Sequence, residues 1–226
     1  MRTAMKRENK KYWILGIIGC VLFGIGDWLL GYVDPAVVAE EFSVIKAGHG
    51  ASYELAKIAV TVTIGAAGAP FLLLGCMRIA ELVTEEGPRR RLRLTMTLLP
   101  VGWLIIHFTV SFGIFVYSWC MHRGDTAAAM ELTLAVMDMD RGAQLISYLF
   151  AAIPLIQLVV YTVRGKTELK TSSLLFTPLL WMALLSGLKF VVPATRFTNG
   201  IDTFCMNAGM IVWFVYLLLI DGEKQR

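Results

Sequence analysis

Residues 12–33 read YWILGIIGCVLFGIGDWLLGYV, an apolar run of 22 residues whose one charged side chain is Asp27. An α-helix rises about 1.5 Å per residue, so about 20 such residues cross a hydrocarbon layer about 30 Å thick. The basic start (Arg2, Lys6, Arg7, Lys10, Lys11) also resembles the opening of a secretory signal. A signal core, however, has about 7–15 residues, and no small-x-small cleavage pattern follows Val33. The run is therefore expected to remain as an uncleaved membrane helix.

Five further apolar runs follow, roughly 55–82, 94–120, 142–163, 172–192 and 203–220. Each is long enough to span, some only by tilting. Composition agrees: 57% of the 226 residues are hydrophobic and 17% charged, against about 45–50% and 25% in soluble domains. The expected fold is an all-α bundle of six transmembrane helices, one integral membrane domain over residues 1–226. The net charge of +4 does not point to nucleic acid, because the bases sit in short clusters between apolar runs, where they orient helices.

Those clusters alternate. The N-terminus, the segment Arg78 to Arg93 (with Arg89, Arg90, Arg91) and the segment Arg164 to Lys170 (with Lys166) are basic. The alternate segments 34–57, 122–141 and 194–202 hold five Lys or Arg against nine acids. The positive-inside bias puts the first set in the cytoplasm, so both termini are expected inside and the acidic segments outside.

Helices in lipid approach closely where residues are small. Gly16, Gly19, Cys20 and Gly24 in helix 1, Gly65 to Ala69 in helix 2, and Ala183 with Gly187 in helix 5 are the expected contact stripes. Pro70, Pro100, Pro154 and Pro178 fall inside helices 2 to 5, where each removes a backbone hydrogen bond and favours a kink. Trp13, Trp28, Trp119, Trp181 and Trp213 include several near helix ends, the place of interfacial anchors. Cys120 and Cys205 should lie near one membrane surface. Buried free thiols are the default reading for all four cysteines, and a Cys120–Cys205 bond is the alternative.

Ionisable groups within the hydrocarbon cost about 2.5–3.5 kcal/mol each on insertion scales, so their positions call for a reason. Asp27, His107 and Lys189 are such groups. Near the same level lie Glu54 and Lys57 at the top of helix 2, and Asp202 and Asn207 at the top of helix 6. One reading gathers these seven into an outward-facing pocket that binds or transports a small polar or lipid-like ligand, with His107 and Ser111, four residues apart, as a relay. The other has Lys57 and Lys189 snorkelling, Glu54 pairing with Lys57, and Asp27 serving as a buried interhelical contact. A metal site would need His49, His107 and His122 to meet, yet no two have the spacing of a helical ligand pair. No phosphate loop or GxSxG elbow occurs. No metal or cofactor is expected, and the expected partners are the bilayer and a small ligand, with oligomeric state open. Residues 127–139 (AAAMELTLAVMDM) suit a short amphipathic helix on the outer surface, and 35–43 (PAVVAEEFS) a short helix beginning at Pro35 and ended by Gly48-His49-Gly50.

The run Gly26-Asp27-Trp28-Leu29-Leu30-Gly31-Tyr32, followed by an acidic connection and Ser52-Tyr53-Glu54-Leu55-Ala56-Lys57, resembles a family of uncharacterised bacterial multi-pass membrane proteins over roughly the first quarter of the chain. The resemblance implies a bacterial inner-membrane protein and carries no activity. A similar GD-L-L run occurs in lysoplasmalogenase-like membrane hydrolases, which keeps a hydrolase acting at the outer leaflet as one alternative. An accessory or sensor protein without its own site is the other.

Overall fold

The computed structural model describes residues 2–38 and 54–223, with side chains described within 10–38 and 54–221. Among these residues there are six α-helices: α1 Arg2–Gly31, α2 Leu55–Ile79, α3 Glu86–His122, α4 Thr126–Val163, α5 Pro178–Gly187 and α6 Arg196–Glu223. Among the described residues, six segments are long and apolar enough to cross a membrane, with α5 counted together with its flanking 3-10 turns. The chain is thus an α-helical protein with the character of a multi-pass membrane protein.

Two segments differ from expectation. Residues 127–139 do not lie on the surface as a separate helix; they are the first turns of α4. Asp125 caps that helix by accepting from the Ala128 N–H at 3.0 Å, and Gly124, at φ +78°, makes the tight reversal out of α3. Helix 5, in contrast, is broken. Thr171–Phe176 and Leu188–Phe190 are 3-10 turns, and α5 proper has ten residues. Pro178 sits at the start of α5 rather than inside it, so it does not kink that helix. It disfavours α conformation at Thr177, whose ψ is 145°. Ten residues rise about 15 Å, half of the hydrocarbon layer, so the flanking turns must complete the crossing. Pro70, Pro100 and Pro154 do lie within α2, α3 and α4. Pro35–Val37 is a single 3-10 turn capped by Asp34, and the rest of that expected helix, with Gly48-His49-Gly50, lies outside the described residues.

The α2–α3 and α4–α5 connections meet at one end of the bundle. The Thr84 N–H donates to the Lys166 carbonyl and the Glu168 N–H to the Leu82 carbonyl, each at 2.9 Å, and Lys166 pairs with Glu85 at 2.8 Å. At the opposite end Arg196 lies 3.4 Å from Asp34, and the Asn199 amide donates to the Val33 carbonyl at 3.1 Å. The two basic clusters therefore share an end, as an even number of crossings between them requires.

Helix contacts run in the series α4, α3, α2, α1, α6, α5, and the two ends of the series, α4 and α5, make little or no direct contact. The α1–α2 contact is made by glycine. A Cβ on Gly68 would come within 2.8 Å of the Gly19 carbonyl, and one on Gly75 within 2.7 Å of the Gly16 Cα, so only hydrogen fits between these backbones. The helix 5 stripe does not pack: Gly187 faces nothing within 4 Å and Ala183 lines a cavity. Trp13 and Trp213 are fully buried in the apolar core, together with Phe214, Leu217, Ile79 and Leu92, and so are not interfacial anchors. Trp119, half exposed and stacked on Phe115, keeps the exposed position an anchor needs. All four cysteines are free and buried. Cys120 belongs to a small cluster with Leu30 and Tyr117, while Cys205 lines the cavity.

Buried Trp13 donates from Nε1 to Asp221 at 2.6 Å, joining the start of the α1 span to the end of α6. Trp13→Phe keeps most of the ring volume and removes this donor to a carboxylate, a bond worth about 1.5–3 kcal/mol. A loss of that order is expected in reversible SDS unfolding, and an unchanged midpoint would show that the bond contributes nothing.

Candidate functional site

The gap between the α3–α4 and α5–α6 pairs holds a partly open cavity of about 830 Å³, with α1 behind it. Two polar groups face it from different walls. On the first, Asp27 of α1 accepts from the Asn207 side-chain amide of α6 (2.6 Å to Oδ2) and lies 3.0 Å from Nδ1 of His107 on α3. The other ring nitrogen, Nε2, is 3.1 Å from the Thr61 carbonyl of α2. Three helices are thus tied to one carboxylate, and the fourth holds the imidazole from behind.

Glycine makes room for that ring. A Cβ on Gly65 would collide with Nε2, and one on Gly26 would stand 2.9 Å from Cε1. Phe23 presents its ring at 90° to the imidazole from 5.6 Å, closing the apolar side. The His107 side chain is 1% exposed, whereas Asp27 keeps 21% and reaches the cavity.

On the second wall, Ser186 of α5 donates to Oδ1 of Asp202 on α6 at 3.0 Å, and Lys189 lies 3.5 Å from the same oxygen. Between the two polar groups the lining is largely apolar, with Leu30, Ile106, Val110 and Met182 among its residues and the rings of Trp103 and Tyr148 beside them. Among the described residues, the buried polar atoms without a hydrogen-bond partner include Thr61 Oγ1 and Asn207 Oδ1, on residues of this group, and Ser111 Oγ and Trp103 Nε1, one turn either side of His107 on α3.

Of the seven residues singled out from the sequence, Asp27, His107 and Asn207 meet in one hydrogen-bonded group, and Lys189 with Asp202 forms the second on the same cavity. Glu54 and Lys57 do not line it. They sit on α2, which packs behind α1 and α3, away from α5; Glu54 caps α2 through its backbone, accepting from the Lys57 N–H at 2.9 Å. The His107–Ser111 relay is not formed, since both ring nitrogens face other partners and Ser111 Oγ has none. With Nε2 turned to a carbonyl, the imidazole is not placed to take a proton from a hydroxyl nucleophile. His122 donates from Nδ1 to the Ser118 carbonyl at 2.7 Å, about 22 Å along α3 from His107 at 1.5 Å per residue, and His49 lies outside the described residues.

The sequence left three participants unmarked. Ser186 and Trp103 had a usable signal, standing three and four residues before Lys189 and His107 on the same helical faces. The Thr61 contribution is a backbone carbonyl and has no side-chain signature.

A family model described as a family of unknown function (DUF6796) matches residues 5–221. No curated protein and no solved structure matches the chain.

Proposed function

The chain belongs to that family of unknown function, and because its description names no activity we propose from the site itself that this multi-pass membrane protein binds, and carries across the bilayer, a small amphiphilic ligand. The single observation behind this reading is one cavity of about 830 Å³ that places Asp27, His107 and Lys189 against an apolar lining. Ligand pockets are about 300–1,000 Å³, mostly apolar, with a few convergent polar groups. Ionisable groups kept inside a membrane bundle are a functional signature by default.

The positive-inside bias supports the orientation: the joined basic connections at the cytoplasmic end, both termini with them, and the cavity in the outer half and middle. A bacterial inner membrane is the setting that the resemblance of the first helix supports.

Native mass spectrometry of protein extracted gently from its membrane is the test. A bound small molecule is expected on the wild type and is expected to be lost from both Asp27→Asn and Lys189→Gln while helicity is unchanged. Retention by both variants would overturn the site. Stable co-purification of another membrane protein, with no small ligand, would favour an accessory role instead.

A further inference from the structure

The partners of His107 set how many protons the site holds. Nε2 faces a backbone carbonyl at 3.1 Å, and a carbonyl only accepts, so Nε2 carries hydrogen. A neutral imidazole has one N–H. Nδ1 would then present a lone pair to Asp27 Oδ1 at 3.0 Å, two acceptors in contact. The approach becomes a hydrogen bond when one more proton lies between Nδ1 and Oδ1. That proton belongs either to an imidazolium facing a carboxylate or to a carboxylic acid facing an imidazole, and the pair is neutral in both cases. The Asn207 amide on Oδ2 is compatible with both.

This proton has one exit. His107 is sealed, while Asp27 opens on the cavity. When the proton leaves, the pair carries a charge of −1 among apolar side chains, a state that calls for a compensating cation. The cation that lines the same cavity, Lys189, is paired with Asp202 at 3.5 Å. Among the described residues, the other titratable groups lining the cavity are Tyr148 from α4 and Cys205 from α6, neither cationic; α2 presents the Thr61 carbonyl to the ring, and its Lys57, one turn earlier, does not line the cavity. A cavity of about 830 Å³ far exceeds a bare ion, its lining is apolar, and Trp103 and Tyr148 bring aromatic rings that attract cations. The proposed way in for an apolar body is lateral, between α4 and α5, which make little or no direct contact.

We propose that the cavity exchanges the one proton shared by Asp27 and His107 for one organic cation with an apolar body. The balance is simple: one proton leaves the pair for cavity water, one positive charge enters beside Asp27, and no bond other than that to the proton is broken. The proposal rests on the ligand-cavity reading above and names its ligand class.

The test uses the full chain in nanodiscs with two probes of the same shape and opposite charge, tetraphenylphosphonium and tetraphenylborate. In the range where the pair is protonated, the apparent Kd for tetraphenylphosphonium is expected to rise about tenfold for each unit the pH falls, as competition with one proton requires. Each binding event there should release about one proton into weakly buffered solution, as mass action with a single shared proton demands. Asp27→Asn is expected to lose the proton release and the pH dependence together. The wild-type pH series needs no variant, so a variant that misfolds leaves the test intact. Binding of tetraphenylphosphonium without proton release, or release that persists in Asp27→Asn, would overturn the proposal. So would binding of tetraphenylborate alone, which would leave the cavity reading standing. If neither probe binds, the exchange is also overturned, and the mass-spectrometric experiment decides the cavity reading separately.

Discussion

Gly19→Leu is expected to leave little folded protein. A Cβ at Gly19 would stand 2.5 Å from the backbone nitrogen of Leu72 and 2.9 Å from the carbonyl oxygen of Gly68. Neither is the end of a flexible side chain; both are held in the hydrogen-bond ladder of α2, so the helices themselves must part. Overpacking typically costs about 1–3 kcal/mol, and contacts with backbone put this site at or above the upper end. A domain stable by only about 5–15 kcal/mol feels such a loss strongly. Parting α1 from α2 also pulls Asp27 away from the His107 that α2 supports. The comparison is Gly187→Leu, where a Cβ meets nothing within 4 Å and the change should stay within about 0.5 kcal/mol, as at ordinary surface positions. Monodisperse yield and the SDS unfolding midpoint measure both. Similar losses at the two positions would refute the close α1–α2 approach.

His107→Leu is expected to destabilise by about 3 kcal/mol, the lower end of the range for removing one partner of a buried charged pair. The lower end applies because the Asp27 side chain keeps 21% exposure and the Asn207 amide remains on it. Asp27→Asn should cost less, since an amide oxygen still accepts from Asn207 and no charge is stranded. The informative variant is the double one. With Asp27 already replaced, His107→Leu strands no carboxylate, so the two effects should fall short of additive by about 1–3 kcal/mol, as for residues in direct contact. Strict additivity in an unfolding series would mean that the 3.0 Å approach contributes no coupling.

Much of the architecture was legible in the sequence because a membrane leaves few choices. Backbone groups in lipid must bond within their own segment, so each long apolar run is a helix, and six such runs appear in both the sequence and the fold. The alternation of Arg89–Arg93 and Arg164–Lys170 with the acidic segments predicted that these clusters share an end, which the Glu85–Lys166 pair bears out. The glycines of helices 1 and 2 announced a close contact, since small residues are costly to place where nothing approaches. Polarity alone mistook two things. The acidic residues within 127–139 suggested a separate surface helix, yet helix continuity depends on backbone breaks, and none precedes Arg164. Trp13, at the start of its apolar run where an interfacial anchor is expected, is a core residue with Trp213, because α1 and α6 turn those faces toward each other.

Asp27, His107, Asn207, Lys189 and Asp202 could be named from sequence because a polar side chain in an apolar run is conspicuous wherever its helix points. Their division into two groups, the exclusion of Glu54 and Lys57, and the Thr61 carbonyl behind the imidazole were decided only in three dimensions. Spacing of three and four residues tells which side chains share a face of one helix. It carries no information on which neighbour that face meets, and that is set by the close glycine contact of α1 with α2 and by the gap left between α4 and α5.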